Sequence, residues 1–144
     1  MPKLNPYLNF DGTAEEAFNF YKSVFGGEFL GGVNRMSDAP GMENLPDNER
    51  NRVLHIALPI GNDILMASDI IPSMGQKLQM GNNNYISVFP DSREEADRLF
   101  NSLSAEGEVE MPMEDMFWGD YFGSFTDKFG VKWMLNFSSQ QNPQ

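Results

Sequence analysis

A chain of 144 residues with 21 acidic and 10 basic side chains carries a formal charge of −11 and has the length of one domain. Such a surface repels nucleic-acid phosphates and anionic lipid headgroups, and no stretch approaches the roughly 18 apolar residues of a membrane span, so neither partner is expected. The absence of cysteine rules out disulfides, thiolate metal sites and a cysteine nucleophile, and points to a reducing, cytoplasmic setting.

Residues 4–10 alternate as a strand, with Leu4, Leu8 and Phe10 on one face and Asn5, Tyr7 and Asn9 on the other. After Phe10-Asp11-Gly12, a helix is predicted to start at Thr13. Its hydroxyl and Glu16 form a capping box, and Ala14, Ala17, Phe18, Tyr21 and Phe25 make one apolar stripe that ends before Gly26-Gly27. Strands are expected at 28–36 and 52–59, then a turn at Gly61-Asn62-Asp63 and a strand over 64–69. Residues 37–51, broken by Pro40, Gly41 and Pro46, read as a long surface loop, either passive or a lid.

The second half repeats this order. A strand at 85–89 precedes a helix capped by Ser92 with Glu95 and striped by Ala96, Leu99, Phe100 and Leu103. Strands follow at 108–113, 121–126 and 131–137, with Asp127-Lys128-Phe129-Gly130 turning between the last two. Thr13 with Ser92, Glu15 with Glu94, Glu16 with Glu95 and Ala17 with Ala96 all stand 79 residues apart, while Asp11 with Asp91 and Gly27 with Gly107 stand 80 apart. This register implies a duplication, module 4–69 and module 84–137, within a single domain ending in a tail, 138–144, that nothing anchors.

Three stretches carry a family resemblance: Pro6-Tyr7-Leu8-Asn9-Phe10, the run from Ala17 to Gly27, and Ile64-Leu65-Met66-Ala67-Ser68-Asp69. So do Asp115-Met116-Phe117-Trp118-Gly119-Asp120-Tyr121-Phe122-Gly123 and the run from Thr126 to Trp133. The chain resembles, over residues 4–137, the vicinal oxygen chelate superfamily of glyoxalases, ring-cleaving dioxygenases and bleomycin-resistance proteins. Within it, the chain is similar to the PhnB-like, or demethylubiquinone methyltransferase-like, branch. The resemblance implies an α+β fold in which two tandem βαβββ modules form a curled mixed sheet around a cup, often completed by a second subunit in a homodimer.

In metal-dependent members of that superfamily, His, Gln or Glu on the first and last strand of each module hold a divalent ion. The matching positions here are Asn5, Tyr85, Leu65 or Met66, and Met134, none of them a usual ligand. The sole histidine, His55, falls on the third strand. The resemblance therefore implies a cup without the family metal or any other cofactor. No G-x-G-x-x-G stands between a strand and a helix, so the methyltransferase label has no physical support.

Candidate ligand-binding residues are Asn5, Tyr7, Asn9, His55, Met66, Tyr85, Phe117, Trp118, Tyr121 and Trp133. Amides and phenols offer hydrogen bonds, and the aromatics offer faces for a planar or cationic ligand. Each also has a structural reading, as core, edge or dimer contact. The ten methionines are adaptable lining or ordinary filler. Asp115 and Asp120 could face a cation, while Asp127 is most simply a turn residue. His55 is either a hydrogen-bonded sheet histidine or a general base. Three functions remain open: a metal-free binder of a small cationic or aromatic molecule; a metal-dependent lyase, isomerase or dioxygenase-type enzyme whose non-standard site uses His55 with Asp or Glu; and a protein-contact domain.

Overall fold

The computed structural model describes residues 1–138, so the expected tail lies almost wholly outside the described residues. The chain divides into two compact units, Met1–Gln79 and a second beginning at Met80.

In the first unit the elements are β1 (Tyr7–Phe10), α1 (Ala14–Phe25), β2 (Asn34–Arg35), α2 (Asp47–Arg50), β3 (Val53–Ile60) and β4 (Asp63–Asp69). The strand order is β1-β4-β3-β2. β1 runs parallel to β4, with Tyr7 beside Met66 and Asn9 beside Ser68, and β3 pairs antiparallel with β4. Helix α1 packs on β3 and β4 and buries Ala14, Ala17, Phe18, Tyr21 and Val24. Its last core residue is therefore Val24, with Phe25 left half-buried where Gly26 ends the helix. Phe18 meets Phe10 and Tyr21 edge-on, at 6.4 and 5.5 Å between ring centroids.

The second unit repeats the arrangement with β5 (Ile86–Val88), α3 (Arg93–Leu103), β6 (Glu108–Asp115), β7 (Asp120–Thr126) and β8 (Lys132–Ser138). Its strand order, β5-β8-β7-β6, is that of the first sheet, again with the first and last strands parallel. The predicted stripe of Ala96, Leu99, Phe100 and Leu103 is wholly buried, over Phe125, Trp133 and Leu135. Both halves are thus βαβββ modules of one topology, each with its own mixed sheet, in the α+β class.

The two helix starts differ. Ser92 has extended backbone angles and its Oγ accepts the Glu95 N–H at 3.0 Å, while the Glu95 carboxylate reaches back to the Asp91 N–H at 2.7 Å. Thr13, displaced by the extra residue Gly12, has ψ near 11° and makes no side-chain cap. The expected Thr13–Glu16 box is replaced by Asp69, whose Oδ1 accepts the N–H groups of Gly12 and Ala14 at 2.9 and 3.0 Å and whose Oδ2 accepts that of Val53 at 2.8 Å.

Two further expectations are corrected. The strand over 28–36 shrinks to Asn34–Arg35, because Gly31 and Gly32 both take φ of +70°, which turns the chain away from the sheet. Residues 37–51 do run over the surface, most of them exposed, but the segment carries the one-turn helix α2 and is anchored at Leu45 and Glu49 rather than hanging loose. Met36 and Leu45 join Ile71 in a small cluster against Met42 and Leu54. The buried Glu49 carboxylate accepts the N–H and hydroxyl of Ser73, tying α2 to the turn at Pro72–Met74.

Candidate functional site

Strand alternation in the first unit turns Phe10, Leu65, Ala67 and Asp69 inward and leaves Tyr7, Asn9, Met66 and Ser68 on the other face, where they are exposed or half-buried. His55 joins that face: its Nδ1 is hydrogen-bonded to the Tyr7 hydroxyl at 3.2 Å, and the two rings stack with centroids 5.8 Å apart. Asn9 Oδ1 accepts the Ser68 hydroxyl at 3.5 Å. Asn9 and Ser68 also line a cavity of about 570 Å³, so the Tyr7–His55 face and the cavity adjoin.

The cavity is largely apolar, walled by Met36, Met42, Leu54, Ile70, Ile71 and Met74, with Asp69, Gln76 and Lys77 as its other polar members. Asp69 is engaged by its three backbone donors. Sequence reasoning missed nearly all of these residues. They come from the packed segment after β2 and the chain after β4, where no periodicity marks a face; the methionine count was the only hint.

Asn5 is not on the open face. It precedes β1, and its Oδ1 accepts the Ile64 N–H at 3.1 Å, which closes the end of the β1–β4 pair. In the parallel registers Tyr7 lies beside Met66 and Ser87 beside Met134. Tyr, Ser and Met are as unsuited to a hard divalent ion as the residues expected there, and Leu65 is buried in the core. Among the described residues, no group of three or more His, Cys, Asp or Glu could hold a metal ion. The donor set does not fit the metal of the metal-dependent relatives.

In the second unit the aromatic candidates separate. Trp133 is corrected to a core residue: it is 1% exposed, and its indole N–H donates to Asp127 at 2.9 Å, which leaves it no open face for a ligand. Asp127 also accepts the N–H groups of Phe129 and Val131, so it is the expected turn residue and a tether for Trp133 as well. Tyr121 donates its hydroxyl to Asp97, and the Arg93 guanidinium covers its ring at 3.8 Å, so this cation–π position is filled from within the chain. Phe117 and Trp118 sit at the β6–β7 turn, 97% and 53% exposed, with rings edge-on at 4.9 Å.

Tyr85 donates to Glu110 at 2.8 Å, and Lys132 pairs with the other oxygen of the same carboxylate. The Lys132 ammonium, with help from the Tyr85 hydroxyl, holds the Glu110 carboxyl below its usual value; the carboxylate in turn pushes the Tyr85 phenol up. Asp115 is paired with Arg93 and Asp120 accepts the Asn136 amide, so both acids offered to a cation are already engaged.

Comparison with known proteins agrees with this architecture. Residues 3–135 match the family model of the Glyoxalase/Bleomycin resistance protein/Dioxygenase superfamily. The chain is 34% identical to Protein YjdN of Escherichia coli (strain K12), over 98% of this chain and 99% of that one. The crystal structure of protein PA1353 from Pseudomonas aeruginosa superposes with a TM-score of 0.84 at 37% identity, covering 96% of this chain and 98% of that one. A Bacillus cereus PhnB protein, described as a putative 3-demethylubiquinone-9 3-methyltransferase, does so at 0.77 and 28% identity, covering 95% and 100%. With two βαβββ modules in the order its sequence predicts and relatives matched end to end, the chain belongs to the glyoxalase/bleomycin resistance protein/dioxygenase superfamily, in its PhnB-like branch.

Proposed function

We propose that this chain is a small-molecule-binding protein that works without the metal of its metal-dependent relatives, as a homodimer, in the cytoplasm. Its ligand lies on the face formed by Tyr7, Asn9, His55 and Met66 and extends into the adjoining cavity. The observation that carries the reading is that an apolar cavity of about 570 Å³ opens beside a Tyr–His hydrogen-bonded pair with no chelating set among the described residues. Pairing as a homodimer is supported by β6, an edge strand with seven of its eight residues exposed, among them Val109 and Met111. The methyltransferase in the name of the Bacillus cereus relative is not carried over, because the chain lacks a glycine-rich strand-to-helix turn for a nucleotide-like donor.

A second reading, a metal-dependent enzyme with a non-standard site at His55, draws on the same pair: the hydrogen bond from Tyr7 at Nδ1 orients the ring and leaves Nε2 for an ion. Metal analysis of untagged protein, followed by a thermal-shift screen of small molecules, separates the two. Metal-free protein that gains several degrees with a ligand, and loses that gain in Tyr7→Ala, is the expected result. One divalent ion per chain that disappears in His55→Ala would instead end the metal-free reading and favour the metal-dependent one.

A further inference from the structure

The polar side chains at the cavity are satisfied without a ligand. Asn9 Oδ1 accepts the Ser68 hydroxyl, Gln76 Oε1 accepts the Ile71 N–H at 2.6 Å, and both Asp69 oxygens are committed to the N–H groups of Gly12, Ala14 and Val53. What remains of Asn9 and Gln76, like the Lys77 ammonium, is exposed to water, so no group here depends on a ligand for its partner. The apolar wall is different. Met36, Ile70 and Ile71 are buried, Met42 and Leu54 are half-buried, and Met74 stands open. Water against such a wall gains no hydrogen bond from it, and an apolar body that covers the wall removes that surface from water. The Tyr7–His55 pair beside the cavity selects no head group either. When the Tyr7 hydroxyl donates to Nδ1, Nε2 carries the proton and offers a donor; when Nδ1 carries the proton and donates to the Tyr7 oxygen, Nε2 offers an acceptor.

On this contrast, and resting on the binding reading above, we propose that the cavity takes an amphiphile recognised by its hydrocarbon body, with a head group that is not selected by charge. The body packs among Met36, Met42, Leu54 and Ile71, and the head lies at the water boundary toward Tyr7 and His55. The formal charge of −11 favours a cation at long range, but salt screens that field within about 8 Å. At the wall itself one acid, Asp69, stands with one base, Lys77, so contact adds no net sign. Methionine side chains, unbranched and polarizable, let the wall follow bodies of different outline, which fits selection by apolar area rather than by shape.

The test titrates two series of probes into the full-length protein by calorimetry at physiological salt. Hexan-1-ol, heptan-1-ol and octan-1-ol share a head; octan-1-ol, nonanoate and octyltrimethylammonium share an octyl chain. Affinity is expected to rise about four-fold with each added methylene. Among the three heads it should differ by no more than about five-fold, the ceiling for an exposed charge. Met74→Gln, at an exposed position that does not threaten the fold, should weaken all five probes to a similar extent, and Met74→Leu should restore them. A gain below roughly two-fold per methylene, or a head preference above about five-fold, would overturn the assignment. So would a Met74→Gln that spares the alcohols, or no binding by any alcohol. The binding reading is judged separately: a compound that raises the melting temperature in the thermal-shift screen, and loses that gain in Tyr7→Ala, keeps it standing even where the hydrocarbon assignment has fallen.

Discussion

Asp69→Ala lowers the melting temperature by more than about 10 °C. Asp69 is buried, and its carboxylate accepts three backbone N–H groups at 2.8 to 3.0 Å: two at the start of α1 and one at the start of β3. Truncation leaves the buried N–H groups of Ala14 and Val53 without a partner where water has little access, and gives that of the exposed Gly12 up to solvent. At about 1.5 kcal/mol for each bond to a charged acceptor, the loss is about 4 kcal/mol or more, and a domain of this length loses roughly 3 °C per kcal/mol. Asp69→Asn separates the two groups of bonds. Its remaining oxygen can keep Gly12 and Ala14, but its NH₂ then faces the Val53 N–H, so it should recover only part of the deficit. Thermal unfolding followed by circular dichroism reads both variants. A loss below about 2 °C for Asp69→Ala would mean that α1 is capped from elsewhere.

Gly107→Ala is the largest effect expected in the second unit, and its cause is contact rather than backbone conformation. A Cβ at Gly107 would lie 2.2 Å from the Thr126 carbonyl oxygen and 2.9 Å from the Asp127 backbone, far inside ordinary contact. Neither neighbour can move freely, because the Thr126–Asp127 stretch enters the turn that holds Trp133 through the Asp127 carboxylate. We expect a cost of about 3 kcal/mol or more, at the upper end for overpacking a tight site. Gly61→Ala is the contrast: its φ is +61° with nothing within 4 Å, so it bears only the left-handed backbone penalty of about 1 kcal/mol. Both tryptophans, Trp118 and Trp133, belong to the second unit, so urea unfolding followed by tryptophan fluorescence reports Gly107→Ala directly. Circular dichroism reports Gly61→Ala. A Gly107→Ala midpoint close to that of the unmutated chain would show that the chain between α3 and β6 does not approach the end of β7 this closely.

These two sites also mark where the sequence stopped being legible. The α3 cap could be read directly, since Ser92 and Glu95 sit within one turn, where the serine hydroxyl accepts the Glu95 N–H and the Glu95 carboxylate accepts the Asp91 N–H. At α1 the same letters misled. Gly12 displaced Thr13 from the capping position, and the acceptor that replaced it arrives from 57 residues away, where no local pattern can announce it. The shared face of Tyr7 and Asn9 followed from strand alternation, while Met66 came only from the resemblance, as an alternative to Leu65. Asn5 escaped that pattern because β1 begins two residues later, and the parallel register, which decides what stands beside Met66, is not written in either strand alone. Trp133 could not be told from an exposed aromatic until its indole N–H was found on Asp127. The cavity was the least visible feature, since Met36, Met42 and Met74 come from irregular segments brought together only by tertiary packing.

The account depends most on ligand binding by the first unit, and methionine-methyl NMR of the full-length protein reads that directly, with a reporter in each place that matters. On titration with a ligand that raises the melting temperature in the thermal-shift screen, the methyls of Met36, Met42 and Met74 should shift in a saturable manner, Met66 less, and Met111 and Met113 of the second unit not at all. Saturable shifts confined to Met111 and Met113, with Met36, Met42 and Met74 unmoved at saturation, would contradict it.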